Sequence, residues 1–90
     1  MSEIIFSSTV MVTTKWALGM EAEHIAAIKE RDAKTDNPLW AQIEDLEGVV
    51  DVEYTVTEFD GMLVELDDTS NQGERIYAIG LLIQSYLELE

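Results

Sequence analysis

Ninety residues with a net charge of −14 and 47% hydrophobic content bound one domain, residues 1–90, too apolar for a disordered acidic tail. The charge disfavours direct contact with nucleic acid or anionic membrane, and no apolar run approaches the roughly 20 residues of a membrane span. Zero cysteines exclude disulfides, thiolate catalysis and cysteine-held metal centres.

The first element is the β-branched run "EIIFSSTVMVTTKW", residues 3 to 16. Ile4, Phe6, Val10 and Val12 share one face of a period-two pattern, and Ile5, Ser7, Thr9, Met11, Thr13 and Lys15 share the other. One long strand is expected, or one broken near Ser7-Ser8, with Gly19 ending it. Residues 20–33, "MEAEHIAAIKERDA", are helix formers. Leu18, Ala22, Ile25 and Ile28 make a stripe that Lys29 and Asp32 interrupt. Asn37-Pro38 then reads as the cap and first position of a second short helix, with Leu39, Trp40, Ile43 and Leu46 apolar and Gly48 as its stop.

Residues 50–67 read as a hairpin around Asp60-Gly61. A two-residue loop would oppose Val56 to Glu65 and bring carboxylates into the apolar layer. A three-residue loop, Phe59-Asp60-Gly61, pairs Val56 with Val64 and Tyr54 with Leu66, Gly61 taking the left-handed conformation. That register turns Val50, Val52, Tyr54, Val56, Met62, Val64 and Leu66 inward. Asp51, Glu53, Thr55, Thr57, Leu63, Glu65 and Asp67 face outward. Asn71 with Glu74 three residues later opens a terminal helix whose core stripe is Ile76, Ile79, Ile83, Tyr86 and Leu87.

The order is β-α-(α)-β-β-α, an α+β domain. Right-handed crossover predicts a three-stranded antiparallel/mixed sheet of order 1-3-2, its last strand returning antiparallel between the other two, with the helices on one face. "LEGVVDVEYTVTEFDGMLVEL" resembles, in rhythm, the second half of small ferredoxin-like domains, a likeness covering roughly residues 46–87. The resemblance implies a ferredoxin-like plan without its fourth strand. Metal-binding members of that group use a Cys-x-x-Cys pair, which this chain lacks, so no metal or cofactor follows.

Little points to catalysis. His24 is the only histidine, and as a boundary residue it lacks the partners of a catalytic base. No nucleophile elbow, phosphate loop or dinucleotide fingerprint occurs. A calcium loop starting at Asp68 would place Gly73 at position 6 but Ile79 at position 12, where a glutamate is required. A non-enzymatic protein without cofactors is expected.

The charge is what stands out. Residues 1–34 hold five acids and four bases, a net of −1, whereas residues 35–90 hold fourteen acids and Arg75 alone, a net of −13. Glu53 is expected directly across from Asp67, with Asp51 and Glu65 beside them and Glu58, Asp60 and Asp68 along the edge. Like charges facing one another on a sheet cost up to about 1 kcal/mol per pair, so a basic partner protein is expected to cover them. A small acidic protein occupying the nucleic-acid site of a basic enzyme is the working principle of anti-CRISPR proteins and other DNA mimics of viral origin. That sets the expected place as a cytoplasm, the host's if the chain is viral. Two alternatives stand beside it: a dimeric ferredoxin-like regulatory or ligand-binding module, and a salt-adapted domain of a halophile. The open β1 edge, or Tyr77, Leu81, Leu82 and Leu89 on the last helix, would form a homodimer seam.

Overall fold

The first β-branched run folds back on itself. Strand β1 (Ser8–Val12) reverses at Thr13-Thr14 and returns as β2 (Lys15–Gly19), paired antiparallel from Val12↔Lys15 to Ser8↔Gly19. Two-residue hairpins normally use Asn-Gly or Asp-Gly, because the turn needs positive φ. Here Thr13 takes φ 56, a left-handed conformation that costs a β-branched residue on the order of 1–2 kcal/mol. Its hydroxyl donates to the Val12 carbonyl at 2.6 Å. The turn carries no glycine, asparagine or aspartate, which is why the sequence pattern reads as one strand.

The computed structural model describes residues 5–69 and 71–88, so Leu89 of the expected seam lies outside the described residues. After β2 come α1 (Ala22–Asp32), α2 (Leu39–Glu44), β3 (Val49–Thr55), β4 (Gly61–Leu66) and α3 (Gln72–Tyr86). The result is an α+β fold with one four-stranded sheet of order β1-β2-β4-β3, antiparallel throughout. The expected three-stranded 1-3-2 sheet is corrected by the hairpin: folding the first run in two adds a strand that covers the edge of β2. The open edge on that side therefore belongs to Ser8–Val12, and the opposite edge of the sheet is β3.

The β3–β4 register is also corrected. Val64 pairs with Val52 and Met62 with Tyr54, four residues from the expected partners, and residues 56–60 form a five-residue loop. A shift of four preserves face parity, so Val52, Tyr54, Met62, Val64 and Leu66 still point to the core side. Val56 does not; it sits exposed in the loop. A bulge between Val49 and Asp51 ejects Val50 to the surface and brings Val49 to the core. Gly61 does not close a turn. It lies in β4 opposite Gly19, where an added Cβ would run into the Leu18 carbonyl. Backbone proximity, more than turn chemistry, demands glycine there.

Ile25 and Ile28 of α1, Leu39 and Ile43 of α2, and Ile76, Ile79 and Ile83 of α3 join Leu18, Met62 and Val64 in one core cluster. Ile5 and Phe6 close its end. Asn71 caps α3 by accepting from the Glu74 N–H, and the Trp16 indole donates to Gln72 Oε1 at 3.0 Å, tying β2 to the start of that helix. α2 starts one residue later than expected, with Pro38 at the cap position. Its capping oxygen comes from Asp32, seven residues back, which accepts from the Leu39 N–H at 2.9 Å.

Candidate interaction surface

The registers assemble the sheet's outer face row by row. Val12, Lys15, Glu65 and Asp51 form one row across β1, β2, β4 and β3; Val10, Ala17, Leu63 and Glu53 form the next. Each row runs from apolar at β1 to acidic at β3. Alternation along β3 and β4 projects Asp51, Glu53 and Glu65 to this side, as their positions in the sequence imply.

Asp67 departs from that arrangement. It lies beyond β4, donates its N–H to the Gly48 carbonyl at 2.7 Å, and turns its carboxylate onto the N–H and hydroxyl of Thr69. Those two donors, the backbone N–H first, hold the Asp67 carboxyl below the usual carboxylate range. Glu53 therefore faces Leu63 in place of Asp67, and the like-charge pair left directly opposed is Asp51 with Glu65. Lys15 sits across from Glu65 on the other side and extends its Nζ to within 3.5 Å of Asp51 and 3.9 Å of Glu53. The expected plate of four unneutralised carboxylates is corrected to three, of which Asp51 and Glu53 share one lysine. At such exposure the bridges contribute no more than about 0.2–1 kcal/mol each. Reading the first run as one strand hid this lysine, which the hairpin brings over the acids.

Around these three the acid continues. Residues 44–68 contain ten carboxylates and no base. Among the described residues, salt bridges reach this stretch from Lys15 and, at 3.7 Å, from Arg75 to Glu47. Glu58 lies in the β3–β4 loop, and Asp68 is exposed beside Asp67. Asp60 is half-buried, and its carbonyl accepts from the Met20 N–H at 2.8 Å. Two of the other cations are engaged elsewhere: Arg31 bonds Glu88 at 2.8 Å and Lys34 bonds Glu30 at 3.2 Å, both beside an open cleft of about 480 Å³ next to Tyr86.

Asp32 is the best-coordinated carboxylate in the described structure. Besides capping α2, it accepts from Tyr86 Oη at 2.6 Å and from Tyr54 Oη at 2.8 Å. Burial, then the hydrogen bond to Asp32 and its charge, push the Tyr86 phenol up to about 12 and the Tyr54 phenol higher still. Three elements, α1, β3 and α3, are fastened to the start of α2 through one side chain. Two tyrosines on otherwise apolar stripes are the sequence signal for such a partner, since a buried phenol needs one.

At the start of α1, Glu21, Glu23 and His24 place one donor atom each within 4.8 Å of one another, and His24 Nδ1 is buried without a hydrogen-bond partner. Two carboxylates and an imidazole are a donor set suited to a divalent cation. His24 itself is half-buried, at the boundary expected for it, and the proximity of Glu21 depends on the helix start.

On α3, Tyr77 and Leu81 are exposed, 62% and 44%, whereas Leu82 is half-buried against the core and is not free to form a seam. No helix among the described residues is long and apolar enough to cross a membrane. Compared with known family models, curated proteins and solved structures, the chain matches none.

Proposed function

We propose that the protein is a small non-enzymatic interaction module whose acidic β3 side engages a basic protein, of the kind that normally holds nucleic acid. The observation that carries this reading is the stretch of ten carboxylates in residues 44–68 met by two cations, Lys15 and Arg75, among the described residues. Carboxylates held on a strand and its adjoining loop offer arginine and lysine side chains the charge-assisted bonds they otherwise make to phosphate. We read the architecture as a split βαβ plan of ferredoxin-like type: β2 and β3 flank β4, and the fourth position is filled by β1 from the N-terminal side.

The test is capture of proteins from a lysate on the immobilised chain at about 0.05 M and about 0.5 M salt, followed by competition with duplex DNA. Basic proteins should bind at low salt, leave at high salt and be displaced by the DNA. Glu53→Lys combined with Glu58→Lys should abolish capture. Glu21→Lys with Glu23→Lys, the same change in net charge placed on α1, should leave most of it. Equal losses in the two pairs would mean bulk charge without a binding face. Retention at high salt would reject the electrostatic reading altogether.

A further inference from the structure

Outside the acidic side lies a surface on which β1 and the cleft beside it carry no charged group among the described residues. From Ser7 to Thr14 the chain carries no ionisable side chain, and every residue of β1 is exposed. Val12 and Lys15 flank the two-residue turn and form its first hydrogen-bonded pair, so Val12, Val10 and Ser8 bond to β2. Thr9 and Met11 therefore direct their N–H and C=O groups away from the sheet. On the helix side, Thr9 also lines a cleft of about 180 Å³ together with Ile5, Phe6, Tyr77, Leu81 and other residues, none of them charged. An unprotected strand edge and the uncharged Tyr77 and Leu81 of α3 thus meet at one place.

We propose that this surface is the seam of a homodimer, in which β1 pairs antiparallel with β1 of a second copy about a two-fold axis near Val10. Such an axis brings Thr9 opposite Met11 of the other copy, so both sets of outward backbone groups are satisfied by one operation. The same rotation carries the two α3 stripes, Tyr77 and Leu81, toward each other beneath the extended sheet. A second copy fits better than an unrelated strand because of charge. Two molecules of net −14 repel wherever carboxylates meet, and among the described residues β1 and the cleft beside it carry none. The dimer is an eight-stranded sheet with the acidic β3 strands at its two far ends, presenting the proposed binding side twice.

Sedimentation equilibrium of the full chain tests this. The expected result is twice the 10.1 kDa chain mass, with association tightened several-fold between about 0.05 M and about 0.5 M salt as self-repulsion is screened. Partner capture weakens over the same range, so failure of one reading is distinct from failure of the other. Val10→Lys places like charges at the axis, and Leu81→Glu places them on the helix stripe. Each should give a monomer at the concentration where the unaltered chain is dimeric, with unchanged circular dichroism. An unaltered chain that sediments as a monomer at both salts overturns the proposal. So does a dimer that persists in both variants, or one that salt dissociates.

Discussion

At one end of the sheet, Ser8–Val12 lies with every side chain exposed, no charge, and a turn built on a strained threonine. At the other, Val49–Thr55 carries Asp51 and Glu53, a bulge at Val50, α2 packed against it, and a tyrosine fastened to Asp32. Charges and bulges are the usual means by which a sheet edge avoids pairing with another chain. β3 has both, while β1 has neither. The difference favours the proposed reading of the acid over a solubilising coat, which would be needed most on the bare edge, where acid is missing.

The largest expected effect comes from Asp32→Ala, which orphans two phenols and the Leu39 N–H. A loss of roughly 2–4 kcal/mol in denaturant unfolding is expected, with hydrogen exchange rising in α2 and β3 well before β1 and β2. Uniform loosening of both ends would break the comparison. The same contacts set an alkaline limit. Tyr54 and Tyr86 keep their protons in the folded chain above the ordinary tyrosine range, so the folded state binds more protons than the unfolded one. Stability is intact below pH ~10 and falls as pH rises toward ~12. Tyr54→Phe should flatten that slope, measured as the unfolding midpoint against pH.

A smaller change is expected at the other end. Thr13→Asn places a residue tolerant of positive φ in the β1–β2 turn and should raise stability by about 0.5–1 kcal/mol, read from the denaturation midpoint. No gain would mean that the hairpin holds its turn without strain. Smallest of all is Lys15→Ala. Removing the lysine leaves Asp51 opposed to Glu65 without relief, at a cost of about 0.5 kcal/mol that added salt recovers. Capture of basic proteins should tighten at the same time, since Lys15 is the cation that competes for this face.

Much of the local structure was legible in residue patterns. The Asn71 cap of α3, the stripe Ile76, Ile79, Ile83, and the inward set Met62, Val64 and Leu66 all follow from short-range chemistry. The candidate surface was legible in part. Asp51, Glu53 and Glu65 share a face because alternate strand positions must, but Asp67 was misplaced because its carboxylate satisfies its own turn at Thr69. Lys15 was missed because a Thr-Thr turn carries no recognisable signal.

By itself, then, the chain's order of residues determined which side chains point the same way and where the charge accumulates along its length. Both follow from the two-residue period of a strand and from composition. Tertiary structure alone decided strand number, register and electrostatic neighbours. A period of two cannot distinguish a pairing from one displaced by four residues. The close approach of Gly61 to Leu18, the bulge at Val50 and the reach of Tyr54 to Asp32 are long-range contacts that could select one.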